Sequence, residues 1–402
     1  MSQQCTSYKH YWQLNPNYIF LNHGCFGAVP KVVAEHQSVL RTALEKDPIR
    51  YLTPERELES KLDAVRNTLA GRVGAQPNNL VFVRNATDGV NAVLRSFPFK
   101  EGDEVVITNH GYNACNNAVR YAAERFGARV RLATIPFPIS DPSQVIESVE
   151  ANMSNRTRLI LVDHASSPTG LLFPIQQLIE LAHQNGSRIM IDGAHAAGMQ
   201  HLEIEKWGPD YYTANHHKWW CAPKVSGFLY VRPELQPEVQ PTSISHPYNT
   251  PRPGRSAFLA SFDWTGTYDP TPILSLPAAF EFFDSLRDGG INASMQENHR
   301  LALLAQDMLC SELHVDIPAP SSMIGSMVTL PFDSLENQAA EFVRAKLFED
   351  YQIEVPLYAG LKNERGDFVS PPLIRISLQA YNDPDEIRSL ADALKQLGVS
   401  NR

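Results

Sequence analysis

Short runs of β-branched and other apolar residues alternate along the chain with longer stretches whose apolar positions recur at helical spacing. The runs are "LVFVRN" (80–85), "EVVIT" (104–108), "RVRLAT" (129–134), "RLILVDH" (158–164), "RIMID" (188–192), "DYYTAN" (210–215) and "GFLYVR" (227–232). Each predicts a strand. Between the earlier ones, "DGVNAVLRSF" and "CNNAVRYAAERFG" predict amphipathic helices. This alternation predicts an α/β fold with a mostly parallel seven-stranded sheet covered by helices on both faces.

Residues 233–257 break the pattern with six prolines and little periodicity. The pattern restarts near residue 270 with the helical stretches "PILSLPAAFEFFDSL" and "NHRLALLAQDMLCSEL". Strands near 325–331 and 373–378 follow, then a closing helix "PDEIRSLADALKQLG". Asp383 and Pro384, with acidic residues just behind them, suit the start of that helix. The expected organisation is a large domain over 21–268 and a smaller α+β domain over 269–402. An N-terminal segment, 1–20, is expected to pack on the smaller domain.

Composition narrows the class. The chain has 402 residues, enough for a sizeable core, and a net charge of −9. Lys and Arg are scattered rather than blocked, so no nucleic-acid surface is expected. An anionic substrate needs a local positive site against that background. The five cysteines (Cys5, Cys25, Cys115, Cys221 and Cys310) are widely spaced and form no CxxC. That pattern argues for a reducing compartment and against a disulfide framework or a metal centre. The opening "MSQQCTSYKHYWQLN" has no apolar core of the signal-peptide kind, and no long apolar run marks a spanning helix. A soluble cytoplasmic protein is expected.

Sheets of this type bind ligands at the carboxyl ends of their strands, and four features fall there. Lys218, in "TANHHKWWCAP", is an amine among bulky neighbours. Desolvation lowers the basicity of an amine and suits it to imine formation with an aldehyde; the alternative is a lysine reaching out to water. Asp192 closes a strand in "IDGAHAAG", where a carboxylate pairs with a protonated ring nitrogen or caps the next turn. His195, three residues on, is near enough to touch the same ring. "RNATDGVN" (84–91) is a strand end leading into a helix start, a phosphate cup or plain capping by Asn85 or Thr87. The Asp88 carboxylate must point away from any phosphate. Tyr112, in "TNHGYNA", lies on a planar cofactor with His110 alongside, or is a surface tyrosine. Together an amine, a carboxylate, an anion cup and an aromatic lid are what pyridoxal 5'-phosphate requires.

The chain resembles a family at these positions. "DGAHAAG" followed by "HHKWWCAPKVSGFLYV" is similar to the class V aminotransferases, fold type I pyridoxal-phosphate enzymes. "LNHGCFGAVP" (21–30) and "WTGTYDP" (264–270) narrow the resemblance to the isopenicillin N epimerase-like branch, over about residues 18–395. The resemblance implies that Lys218 binds the cofactor aldehyde and carries the substrate α-proton. It implies that Asp192 bonds the ring nitrogen, His195 lies near the phenolate oxygen and Tyr112 stacks on the ring. Ala86 (through its backbone) and Thr87 would hold the phosphate, with Asn215 and His217 completing the cup. Thr267, after Gly266, would reach the phosphate of a neighbouring copy, so a homodimer with shared sites is implied. Arg375, in "LIRISLQAYND", would grip the substrate carboxylate, and Asn22 and His23 would line the substrate mouth.

Two departures stand out. The stretch 355–375 carries no cysteine, where cysteine desulfurases of this class place a nucleophilic one. Ser167, in "HASSPTG", stands where many class V members have an asparagine. Cys221 fits packing better than catalysis. Arg50, in "DPIRYL", is either a distal carboxylate ligand or a solvated helix-end charge. The implied activity is α-proton abstraction from an amino acid. Epimerisation leads, with Tyr112 or His23 as the second acid. C–S lysis by β-elimination, without a persulfide cysteine, is the first alternative, transamination the second, and a non-catalytic cofactor-binding module the last.

Overall fold

The computed structural model describes residues 8–336 and 339–400; Cys5 lies outside them. Numbered in chain order, the strands are β1 (Ile19–Phe20), β2 (Leu80–Val83), β3 (Glu104–Thr108), β4 (Arg129–Ala133), β5 (Thr157–Asp163) and β6 (Arg188–Asp192). Then come β7 (Tyr211–Asn215), β8 (Gly227–Val231), β9 (Met327–Pro331), β10 (Ile353–Glu354), β11 (Leu357–Tyr358) and β12 (Leu373–Ser377). The seven expected strands form one sheet in the order β2-β8-β7-β6-β5-β3-β4. Every neighbouring pair is parallel except those made by β8.

Burial explains why these segments are strands. Residues of β2, β3, β7 and β8 are buried along their whole length, which is why they read as near-continuous apolar runs rather than alternating ones. The helices Ala86–Ser96 and Asn113–Phe126 each follow a strand. The second ends at Gly127, whose left-handed backbone (φ 70) closes it. The result puts the turns after β2, β3, β5, β6 and β7 along one edge of the sheet.

A second sheet, β11-β12-β9, is antiparallel, and β1 pairs with β10 in parallel. The described part of the N-terminal segment lies against the C-terminal part of the chain. Lys9 bonds Glu386, and the ring of Trp12 meets Tyr381 edge-on at 5.1 Å. The closing helix, Pro384–Gln396, starts in a capping box made by Asp383 and Glu386.

One buried ion pair lies close in sequence to the segment 264–270. Arg66, on the helix Glu59–Val73, bonds Asp263 with both side chains nearly sealed from solvent (2% and 1% exposed). Arg255 bridges the same Asp263 to Asp63. Tyr268 donates to the Asp263 carbonyl at 3.3 Å. This cluster anchors the loop that carries Gly266 and Thr267. Among the described residues no helix is long and apolar enough to cross a membrane.

Candidate active site

Lys218 lies three residues beyond the end of β7, and its amine sits 2.9 Å from Nε2 of His195, which follows β6. Burial lowers the amine's pKa to about 8; the charge of Arg375 acts in the same direction and that of Asp192 against it. His195 is held well below its ordinary pKa by burial and then by the charges of Lys218 and Arg375, so its ring is neutral. Its Nδ1 is buried with no hydrogen-bond partner among the described residues. An unsatisfied ring nitrogen at this depth calls for a ligand.

Asp192 closes β6, buried. One carboxylate oxygen accepts the Ala194 N–H at 3.0 Å, and the other accepts the Cys115 thiol at 3.2 Å. The Ala194 bond is the capping contact. Burial raises the Asp192 pKa, while the Ala194 N–H, the Cys115 thiol and Lys218 pull it back. Asp163 is its direct neighbour: β5 and β6 are in register at Asp163 and Asp192. Burial and the Asp192 charge push Asp163 well up, and the Tyr112 N–H bonds it. Neither Asp163 nor Cys115 was expected at the site. The signal for Asp163 was present, since "LVDH" ends a strand in a carboxylate just as "IDGA" does.

Tyr112 stands at the start of the helix Asn113–Phe126 with 45% of its surface exposed, and burial of the rest raises its phenol pKa. Cys115, Cys25 and Asp192 surround it closely enough to act on it. The ring is half exposed, close enough to Asp192 and Cys25 to feel their charge. His110, expected alongside, is sealed below it: its nitrogens meet Thr169 Oγ1 at 2.9 Å and the Ile135 carbonyl at 3.2 Å.

The anion cup differs in detail from expectation. Asn85 caps the helix Ala86–Ser96 by accepting the Asp88 N–H. The Ala86 N–H, expected to face a phosphate, donates instead to Asn215 Oδ1 at 2.9 Å. The strand ends of β2 and β7 are close enough for the Asn215 amide to reach that helix terminus. The Thr87 hydroxyl bonds the Cys115 thiol. Asp88 does point away, bonding Thr242 at 2.7 Å and the Arg84 N–H at 3.2 Å. His217 gives its Nδ1–H to the Ser226 carbonyl at 3.2 Å, and burial lowers its pKa to about 4. Donation to a phosphate requires a second proton on Nε2, which a phosphate's own charge favours.

Arg375, on β12, is 1% exposed. One Nη donates to the Ser167 carbonyl and, at 3.4 Å, approaches the Ser167 hydroxyl. The other lies 3.4 Å from Cys25 Sγ, and Nε has no partner among the described residues. Gly24 permits this approach, because a Cβ there would lie 2.8 Å from Ser377 Oγ and 3.4 Å from the guanidinium. Cys25 thus occupies the place beside the arginine from the opposite end of the chain.

One of the two expected mouth residues, His23, is corrected. His23 is fully buried behind the lysine, its ring nitrogens taken by the Lys218 carbonyl (3.0 Å) and the Tyr381 hydroxyl (2.7 Å). It lines no mouth and has no free nitrogen for acid catalysis. Asn22 is also buried; its amide nitrogen bonds Glu354 at 2.9 Å and its oxygen is unpartnered. Gly266 and Thr267 lie on a loop at the surface of the single chain, where Thr265 and Asp269 border a cavity of about 370 Å³ with Arg84 and Lys224. Cys221 is buried with its thiol pKa pushed up by burial, and it packs. Arg50 pairs with Glu57 on the surface.

The donor set fits pyridoxal 5'-phosphate. It offers an amine of lowered basicity, an in-reach carboxylate, an unsatisfied imidazole nitrogen, a helix start and a half-exposed tyrosine, all around Lys218.

The class-V aminotransferase model matches residues 29–390. The chain is 31% identical to isopenicillin N epimerase of Streptomyces clavuligerus, over 96% of each chain. It is 28% identical to a probable chloroplastic L-cysteine desulfhydrase of Arabidopsis thaliana, over 95% of this chain and 83% of that one. Among solved structures it is similar to a C-DES mutant with glycine covalently linked to its PLP cofactor (TM-score 0.79, 22% identity, 97% and 99% covered). It is also similar to the cystine C–S lyase C-DES in complex with its product cysteine persulfide (TM-score 0.76, 21% identity, 94% and 97% covered). The chain therefore belongs to the class-V aminotransferase family, and its cofactor is pyridoxal 5'-phosphate.

Proposed function

We propose that this enzyme removes the α-proton of an amino acid on one face and delivers a different proton on the other, as an amino-acid epimerase. The observation that carries the reading is the Lys218 amine, with a pKa of about 8 and 2.9 Å from His195, between Asp192 and Arg375. The bound cofactor supplies an aldehyde for the amine and an electron-accepting ring.

The chain's own groups have separable tasks. Arg375 holds the substrate carboxylate, as a bidentate guanidinium does best. Lys218 takes the α-proton, which an amine with a pKa near the working pH does efficiently. Asp192 keeps a proton at the ring nitrogen, and His195 orients the ring's oxygen side. Thr87, Asn215 and His217 form the phosphate cup, with Ala86 at its floor. Gly266 and Thr267 are assigned to the site of a second copy, so the working unit is a homodimer. Tyr112 is the second-face acid, since His23 has no nitrogen to spare.

That last point favours a second reading. β-Elimination from a cysteine conjugate needs one base rather than two, and Lys218 alone provides it. A panel of amino acids in deuterated water separates the two. Exchange with inversion and no pyruvate supports the epimerase; pyruvate release from cysteine conjugates supports the lyase.

A further inference from the structure

His23 joins three distant parts of the chain. Its Nε2 lies 3.0 Å from the Lys218 carbonyl oxygen and its Nδ1 lies 2.7 Å from the Tyr381 hydroxyl. A carbonyl only accepts, so Nε2 carries the proton and Nδ1 accepts from the Tyr381 O–H. The Gln379 amide nitrogen, 3.4 Å from Nε2, is the longer contact and leaves that assignment in place. The ring is neutral. Burial holds its pKa down to about 3, with Lys224 and Lys218 acting the same way and the Lys218 carbonyl acting against them.

The lysine loop is shaped at the same point. The Lys218 carbonyl also accepts the Cys221 N–H at 2.9 Å, and Cys221 takes a left-handed backbone (φ 55). Four residues after His23, Gly27 (φ 67) presses on the loop so closely that a Cβ would lie 1.9 Å from the His217 carbonyl oxygen. Residues 22–28 are therefore moulded onto the 217–218 main chain at two points. One of them is a directed hydrogen bond.

We propose that His23, whose Nε2–H is given to the Lys218 carbonyl and whose Nδ1 accepts from Tyr381, is a positioning residue that locks the Lys218 main chain and so aims the Lys218 amine into the site. The proposal rests on Lys218 being the reactive amine. A misplacement of about 1 Å in such a group is enough to cost about 10²-fold in rate. The groups that face the amine are His195, Arg375, Asp192, Cys25 and Cys115. Those that face the His23 ring are Tyr381, Lys224, Cys221 and Gln379. A change at His23 leaves all of them chemically intact.

Two near-isosteric variants of the holoenzyme test this. In His23→Gln the side-chain nitrogen reaches the place of Nε2. In His23→Asn it stops at that of Nδ1. The readouts are the pH midpoint of the visible absorption band, and kcat and KM measured separately. We expect His23→Asn to displace the midpoint by roughly half a unit or more and to lower kcat by roughly 10- to 100-fold, with KM within about two-fold. His23→Gln should stay within about three-fold of wild type in kcat, with its midpoint unmoved. Asn and Gln variants that match each other in midpoint and kcat overturn the proposal. A wild-type holoenzyme in which borohydride leaves Lys218 unmodified overturns the underlying assignment of Lys218 instead.

Discussion

The Lys218 amine and Nε2 of His195 lie 2.9 Å apart, and the amine has lost much of its basicity to burial and to Arg375. Folding then depletes Lys218 of its proton between its folded pKa of about 8 and its ordinary 10.5. The unfolded chain binds more protons in that window, so the cofactor-free chain gains stability as pH rises through it. Below about pH 8 the buried ammonium keeps its full penalty. Lys218→Met should therefore stabilise the cofactor-free chain at pH 7 by about 1–3 kcal/mol, a gain that fades toward pH 10. Thermal melts of both forms across pH 7–10 check this; a gap that widens with pH would contradict it.

The two strand-end carboxylates should behave oppositely. Asp163 is pushed well up by burial and the Asp192 charge, toward its neutral acid. Asp163→Asn mimics that neutral acid and should keep α-proton exchange within about three-fold of wild type. Asp192→Asn removes the group that holds a proton at the ring nitrogen and should cost about 10²- to 10⁴-fold. Exchange rates of both variants with the cofactor saturating decide the matter.

Arg375 has no solvent to fall back on, so removing its fork exposes the loss fully. Arg375→Gln should lower kcat/KM by about 10- to 10²-fold, mainly through KM, because charge-assisted hydrogen bonds contribute about 1.5–3 kcal/mol. Arg375→Lys should recover little of it, since an ammonium has no planar fork. Steady-state kinetics on one amino acid and its decarboxylated amine would show whether the loss depends on the carboxylate.

Tyr112 separates the two candidate reactions. Tyr112→Phe keeps the stacking face and removes the phenol proton. Exchange of the α-proton should survive while inversion falls by about 10²-fold or more. Chiral chromatography of the recovered amino acid measures both at once. Inversion at the wild-type rate would move the second acid elsewhere.

The pair Arg66–Asp263 ties the Gly266–Thr267 loop to the helix Glu59–Val73. Arg66→Ala removes one of the two cations paired with Asp263 and leaves that carboxylate to Arg255, so it should destabilise the chain by about 1–3 kcal/mol in denaturant melts.

The sheet was legible because its strands are buried β-branched runs punctuated by turns, and all seven lie within a residue or two of where the pattern put them. That Lys218, Asp192 and His195 fall along one edge of the sheet was legible because Asp192 closes a strand and each of the other two comes three residues after one. The arrangement of Cys25, Arg375 and Ser167 was not, because it joins segments more than 140 residues apart through side-chain contacts that no local pattern encodes. His23 misled for the same reason. Its motif marks the neighbourhood of the site, but only the packed structure shows that the ring faces the back of the lysine loop. The Ala86 N–H was misjudged because a helix start offers its N–H groups equally to a ligand or to a nearby amide, and Asn215 is nearer.

Borohydride reduction of the purified holoenzyme, followed by peptide mass spectrometry, tests the role of Lys218 most directly. The expected result is a single pyridoxyl-phosphate adduct on the peptide containing Lys218, absent in Lys218→Ala. An unmodified Lys218, or an adduct carried by a different lysine, would contradict it.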